Sequence, residues 1–328
     1  MKFGRQASIA SAAKMLYQKI YVKAKATFVE SNSAREKQPP PAVFAQAAQA
    51  AIDALSHDKP SQEILRDIIV HSLDRLSDEQ FVAIADIFRR TRDLDYAHQK
   101  ISIGVRSQNE LLVGLHYCRK EPETIAWIEA MPDGSVFYDI GANIGAFSLV
   151  AAAQHGRIKH IVSIEPAYHN FVALAQNIIT NRLGELIIPL NCGIADKTMI
   201  GLFNYRKLMT GSAESVFGEP IDVKGAAFKP KAILQQAAFA LDDLIRVLGL
   251  PFPTHIKVDV DGIETKIITG AKRTLTDPRI QGLMFEASSL DEEALICNTL
   301  SQYGFKLAQR QKKDLARAKT RNNYFDRV

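Results

Sequence analysis

A change of hydrophobic period near residue 100 constrains this chain more than any other feature. Beyond it, short uninterrupted apolar runs alternate with segments of helical period. The runs are Val136–Ile140, Ile161–Ile164, Leu186–Leu190, Ile256–Val260 and Leu283–Phe285, and the helical segments are 145–155, 168–181, 265–275 and 291–303. Apolar runs without alternation read as strands covered on both faces, and strands alternating with helices read as βαβ units. The prediction is an α/β domain with a mainly parallel, doubly wound sheet. Ile101–Val105 alternates like a further strand, and Glu121-Pro122-Glu123-Thr124 opens a helix carrying Trp127 and Ile128. Residues 304–311 and 322–328 read as two closing strands with a solvated connection.

The chain before residue 99 reads differently, as an all-α extension. In 8–28 an apolar stripe of Ile9, Ala13, Leu16, Ile20 and Ala24 is flanked by Lys14, Lys19, Lys23 and Lys25. An ordinary terminal helix is the default reading, and weak contact with an anionic membrane surface is the alternative. Residues 31–41 end in Pro39, Pro40 and Pro41 and read as a linker. Residues 42–92 read as a small helical bundle, with Ser77, Glu79 and Gln80 as a capping pattern ahead of Phe81, Ile84 and Phe88. The expected division is thus a helical extension over 1–98 and the α/β domain over 99–328.

Composition narrows the function classes. The 328 residues are 47% hydrophobic and 23% charged, the balance of an ordinary globular protein. No stretch approaches the roughly 18 apolar residues of a membrane-spanning helix, and no secretory signal follows the basic start. Cys118, Cys192 and Cys297 are scattered, show no metal-ligand spacing, and fit a reducing cytoplasm. Residues 1–30 carry six Lys/Arg against one Glu, and 306–328 carry eight against two Asp, so the net charge of +5 sits in the two ends. A nucleic-acid-binding domain would carry its basic face across the body, so nucleic acid is not the expected partner.

The chemistry gathers at the end of the first long apolar run. Asp139-Ile140-Gly141-Ala142-Asn143-Ile144-Gly145 leads straight into a helix, and glycines there let the chain turn sharply beside a ligand. The next run ends in Glu165, 26 residues beyond Asp139, where a carboxylate can accept both ribose hydroxyls. The dinucleotide fingerprint needs glycine where Asn143 stands, because a pyrophosphate must approach the backbone. An adenosine with an amino-acid head and no pyrophosphate fits instead, which is S-adenosyl-L-methionine.

With these segments in view, the chain resembles the FkbM-type S-adenosylmethionine-dependent methyltransferases. The resemblance runs over roughly 121–328, through EPETIAWIE, FYDIGANIGAFSL, IEPAYHNFVALAQNI, NCGIADKT, GSAESVFG, LDDLI, HIKVDVDGIETKIITGA and NYFDR, in order. It implies the seven-stranded class I, Rossmann-like methyltransferase sheet and methyl transfer, commonly to a hydroxyl oxygen of a sugar, glycan or other small molecule. It implies that Asp139, Gly141, Asn143 and Gly145 hold the methionine end, that Glu165 holds the ribose, and that Cys192 and Gly193 lie beside the adenine. It implies that Asp259 faces the methyl and the acceptor, with Asp261 and Glu264 just beyond. Asp261 stands where many relatives carry Glu.

Transfer from a sulfonium to a hydroxyl is an in-line displacement, for which positioning alone can contribute about 7–11 kcal/mol. A base within hydrogen-bond reach adds about 10²–10⁴ in rate. Asp259 is the expected catalytic residue, as that base or as a positioning group. Asp261 and Glu264 are read as substrate-binding, or as partners of Lys257 or caps of the following helix. Ser212, in the loop TGSAESVFG, is read as closing over the acceptor. His255 sits at the wrong end of its strand for catalysis, and His169 lies near the adenosine side. A metal site is not expected, since no second acidic cluster accompanies the first. An amine acceptor, or a non-catalytic cofactor-binding or docking module on the same fold, are the alternatives. No aromatic motif for holding a flipped base follows Val258-Asp259-Val260-Asp261-Gly262.

Overall fold

The computed structural model describes residues 77–78, 90–154, 156–213, 215–222, 225–313, 315 and 320–328. The expected helix 8–28, the linker 31–41 and nearly all of the bundle 42–92 lie outside the described residues. The chain divides between Arg90 and Thr91. The α/β unit begins there, ahead of the expected residue 99, because Leu94 and Ile101 are buried in its core. Arg90–Asp93, read as the tail of a helical bundle, is instead a strand, β1, paired with β2 (Ser102–Val105) in a two-stranded sheet.

Seven strands form the central sheet. β3 (Ser135–Ile140), β4 (Ile158–Ile164), β5 (Ile187–Leu190), β10 (His255–Val258) and β11 (Gly282–Ala287) are joined by parallel pairings. β12 (Phe305–Arg310) and β13 (Arg321–Arg327) close it as an antiparallel hairpin, with β13 antiparallel to β11. The order across the sheet is β12-β13-β11-β10-β3-β4-β5. All six residues of β3 are buried, apolar ones on one face and Ser135, Phe137 and Asp139 on the other. Val136, Tyr138 and Ile140 join one core with Val258, Phe285, Ile296 and Leu300, while Phe137 joins the other with Ile128, Phe147 and Leu174.

Helices cover both faces. α1 (Gln108–Lys120) and α2 (Pro122–Glu129) precede β3, α3 (Ala146–Ala152) follows it, and α4 (Tyr168–Thr180) follows β4. α8 (Leu290–Gln302) packs between β11 and β12, with Ile296 and Leu300 inward. The expected helix 265–275 is two: α6 (Glu264–Gly270) and α7 (Lys272–Thr276) break at Ala271. A Cβ on Gly270 would lie 2.1 Å from the Ala195 carbonyl oxygen, so α6 ends jammed against a neighbouring strand.

Between β5 and β10 the chain builds a second, four-stranded sheet. Its members are β6 (Gly193–Ala195), β7 (Met199–Tyr205), β8 (Val216–Phe217) and β9 (Ala232–Ala240), in the order β6-β9-β7-β8. Phe203, Tyr205 and Phe217 form its small core. α5 (Leu241–Leu248) returns the chain to the central sheet.

Candidate functional site

At the C-terminal end of β3 the chain turns through three left-handed residues: Gly141 (φ 81°), Asn143 (φ 51°) and Gly145 (φ 89°). The Gly141 and Ala142 N–H groups donate to the Ile164 carbonyl at 2.9 and 3.0 Å, which ties the loop to the end of β4. A Cβ on Gly141 would fall 1.9 Å from the Asp259 carbonyl oxygen, so the loop runs directly against the end of β10. A Cβ on Gly145 would fall 2.5 Å from Leu174 Cδ1, which seats α3 against α4.

Glu165 reaches this loop from the end of β4. Its Oε2 accepts the Asn143 N–H and its Oε1 accepts the Ala167 N–H, both at 2.8 Å. Burial pushes its carboxyl up to about 7, with the Asp261 charge adding to the rise against the two backbone donors. The Asn143 side chain donates from Nδ2 to the Ser212 carbonyl at 3.3 Å, while its Oδ1 is buried and accepts nothing. Gly141, Asn143 and Glu165 form one wall of a cavity of about 540 Å³.

Tyr117, Asp259, Asp261 and Glu286 line the same cavity, Asp259 directly beside Gly141, and Ser212 lines it from the loop. That loop is pinned from three sides. The Gly211 N–H donates to Asn170 Oδ1 at 2.8 Å, Asn170 Nδ2 donates to the Ser212 carbonyl at 2.9 Å, and Ser107 Oγ donates to the Thr210 carbonyl at 2.6 Å. His169 Nε2 lies 3.1 Å from Ser212 Oγ, and burial pulls the imidazole below its ordinary value.

Asp139 does not reach this cavity. It is fully buried on the Phe137 side of β3, where its Oδ2 accepts Ser148 Oγ at 2.7 Å and its Oδ1 lies 3.3 Å from Lys257 Nζ. Lys257 is itself 1% exposed and reaches Asp259 Oδ2 at 3.0 Å, with its ammonium 5.0 Å from the Phe147 ring centroid. Burial opposes the charge on Lys257, but the two carboxylates outweigh it and hold the amine above its ordinary value. Of the carboxylates near the end of β10, Asp259 and Asp261 therefore face the cavity and Asp259 alone takes Lys257.

Glu264, read as substrate-binding, turns away from the cavity. Its carboxylate accepts the N–H groups of Val260 and Gly262 at 3.3 and 3.0 Å and so braces the turn that holds Asp261 at φ 62°. Burial and the charge of Glu292 push Glu264 up to about 8. Gly145 also lies off the cavity. Cys192 and Gly193 line a narrow adjoining space of about 20 Å³, which shares Gly141, Pro166, Phe203 and Val260 with the main cavity. Burial pushes the Cys192 thiol up to about 11. His255, at the start of its strand, is buried against Trp127 with its Nδ1 2.9 Å from Thr254 Oγ1.

Two contributors escaped the sequence reading. Tyr117 comes from α1, whose start is marked by Ser107 and Glu110: Ser107 Oγ accepts the Glu110 N–H, and the Glu110 carboxylate accepts the Ser107 N–H. That capping box was the available signal. Glu286 ends an apolar strand run, the same position in its strand that Asp259 follows in β10. Lys257, read as a possible partner of Asp261 or Glu264, instead takes Asp139 and Asp259. Among the described residues no group of three His, Cys, Asp or Glu side chains is placed to hold a metal ion.

Residues 139–307, just over half of the chain, match the family described as the methyltransferase FkbM domain. The chain belongs to the FkbM methyltransferase family. It is similar to the 31-O-demethyl-FK506 methyltransferase FkbM of Streptomyces tacrolimicus, at 24% identity over 184 residues, covering 50% of this chain and 69% of that protein. The FkbM methyltransferase structure from Methylobacillus flagellatus KT superposes with a TM-score of 0.42 and 18% identity, covering 59% of this chain. The present chain spans only 44% of that one. A Streptococcus pneumoniae protein solved in complex with S-adenosyl-L-methionine superposes with a TM-score of 0.37 and 12% identity, covering 64% of this chain and 72% of that one. In this FkbM-family site the residues fit S-adenosylmethionine. Glu165 offers the carboxylate a ribose needs, and the unpartnered Asn143 Oδ1 offers an acceptor to an ammonium.

Proposed function

We propose that this FkbM-family methyltransferase is an O-methyltransferase that uses S-adenosylmethionine to methylate a hydroxyl of a sugar, glycan or other small molecule. The observation that carries the reading is the continuity of a single cavity. Glu165 and Asn143, whose Oδ1 is unpartnered, line it together with a carboxylate-bearing wall of Asp259, Asp261 and Glu286. Carboxylates accept hydrogen bonds from hydroxyls, so this wall suits a polyhydroxylated acceptor. The relative from S. tacrolimicus is named for methylation at an oxygen, which supports the same choice.

In this reading the cofactor supplies an electrophilic methyl on a sulfonium. Glu165 binds the ribose and Asn143 the amino-acid head. Asp259, immobilised by Lys257, orients the acceptor hydroxyl towards the methyl. The pinned loop at Ser212 excludes water, and Gly141 lets the cofactor loop and the end of β10 approach closely enough to share one cavity. Free cysteines at 118, 192 and 297 support a cytoplasmic setting. Among the described residues no helix is long and apolar enough to cross a membrane.

The test is calorimetric titration of S-adenosylmethionine into the wild-type protein, Glu165→Ala and Asn143→Ala, followed by S-adenosylhomocysteine release across a panel of methyl glycosides. Binding by the wild type that weakens in both variants, with turnover on a glycoside, is the expected result. A folded wild-type protein that binds no S-adenosylmethionine would overturn the proposal.

A further inference from the structure

We propose that Glu286, and not Asp259, is the carboxylate that takes the proton from the acceptor hydroxyl. The inference rests on the methyltransferase reading above. β10 and β11 pair in parallel with Val258 opposite Phe285, so the next residues, Asp259 and Glu286, leave neighbouring strand ends side by side. Both line the cavity. Their partners separate them. Asp259 is clamped to Lys257 at 3.0 Å, and Lys257 is too deeply buried to turn elsewhere. A proton on Asp259 would strip that ammonium of one of its two counter-charges inside a low-dielectric core, which is costly.

Glu286 has no such partner. Thr320 hydrogen-bonds to it, and among the described residues no Lys, Arg or His forms an ion pair with it. The groups that face it are Asp259 from the end of β10, Asp261 from the next turn, Glu264 from α6 and Tyr117 from α1. Neutral Asn322 stands opposite it on β13. Burial first, and then the Asp259 charge, push the Glu286 carboxyl well above its ordinary value. A half-buried carboxylate with that history is a strong base once ionised, and a cationic sulfonium in the same cavity favours its ionised form.

The step balances without a further reactant. The acceptor oxygen's lone pair forms the new C–O bond to the methyl carbon. The S–C bonding pair stays on sulfur, leaving a neutral thioether. The hydroxyl proton passes to a Glu286 carboxylate oxygen and from there to solvent.

The test needs no identified acceptor. Binding of S-adenosylmethionine and of S-adenosylhomocysteine is measured by calorimetry near pH 8 in buffers of different ionisation heat, which reads protons released on binding. The two ligands share the ribose and the amino-acid head, so proton changes at Glu165 cancel in the difference, and only the sulfonium charge distinguishes them. The wild type is expected to release more protons with S-adenosylmethionine. That excess is expected to vanish in Glu286→Gln and to shrink in Asp259→Asn, where losing the neighbouring charge already lowers the Glu286 carboxyl. Equal release for the two ligands, or an excess that survives Glu286→Gln, would overturn the assignment. Binding of neither ligand by the wild type would overturn the methyltransferase reading itself and this inference with it. On the first methyl glycoside that turns over, Glu286→Gln is expected to lower kcat by about 10²–10⁴, and Glu286→Asp to restore part of it.

Discussion

Lys257 and Asp139 are register partners on neighbouring parallel strands, and Nζ of the first lies 3.3 Å from Oδ1 of the second. Beside this pair lie the buried Ser148 and Ser163 hydroxyls, and beyond them Phe137 and Phe147, so the pair is a charged island in a core. Removing one member of a buried pair leaves the other uncompensated, at a cost of about 3–5 kcal/mol. Lys257→Met is therefore expected to lose about that much stability, read as a fall in the urea midpoint. Lys257→Met with Asp139→Asn is expected to recover part of it, because the buried negative charge is then gone. Equal midpoints for the single and double variants would show that the Asp139 charge does not matter.

Gly141→Ala tests the close approach of loop and strand. A left-handed φ costs a residue with a Cβ about 1–2 kcal/mol, and here that Cβ also lies 1.9 Å from the Asp259 carbonyl oxygen. One strand end must move. Because the Asn143 N–H to Glu165 bond lies two residues on, the displacement is expected to lower both the melting temperature and the affinity for S-adenosylmethionine. Unchanged affinity at a lowered Tm would show that the loop shape and the cofactor wall are independent.

Buried Glu165, Glu264 and Glu286 make stability fall as pH rises, while burial of His255, which holds it down to about 4, opposes them below pH 6.5. In the folded chain Glu165 sits at about 7 and Glu264 at about 8, against an ordinary 4.5. Between 4.5 and those values the folded state binds more protons than the unfolded state, so stability falls as pH rises, by up to about 1.4 kcal/mol per pH unit for each group. Urea midpoints are expected to decline from pH 5 towards pH 8, with Glu264→Gln flattening the upper part and Glu165→Gln the lower. A midpoint that rises over this window in the ligand-free protein would contradict the burial of both groups.

How far the sequence could be read depends on which physical signal each element carries. β3, β4, β10 and β11 are buried on both faces and announce themselves as apolar runs. β7 and β9 belong to the second sheet, where exposed Ile200, Leu202, Ile233 and Leu234 mix with polar neighbours, and no clean period marks them. Within the site, Gly141, Asn143 and Glu165 were legible because a strand, a glycine turn and a second-strand acid keep fixed spacings. The burial of Asp139 was not legible, because its partner Lys257 lies more than a hundred residues away and meets it only through sheet register. Glu264 looked like a member of the acidic cluster, but the two N–H groups it accepts belong to the turn between itself and Asp259, a contact that depends on side-chain direction.

Asn170 governs the loop over the cavity. It is 2% exposed, its Oδ1 accepts the Gly211 N–H, and its Nδ2 donates to the Ser212 carbonyl. Asn170→Ala leaves the Gly211 N–H without its acceptor, a cost of about 1–3 kcal/mol, and the Ser212 carbonyl with Asn143 Nδ2 alone. The loss should be local, because α4 keeps its apolar contacts through Ala173 and Leu174. Amide hydrogen exchange is expected to quicken at Gly211 and Ser212 while the β3 and β4 amides keep their protection. The Ser212 carbonyl also receives Asn143 Nδ2, so a loosened loop frees the Asn143 side chain and weakens binding of S-adenosylmethionine. Exchange at Gly211 and Ser212 that matches the wild type would show that Ser107, Asn143 and His169 suffice to hold the loop.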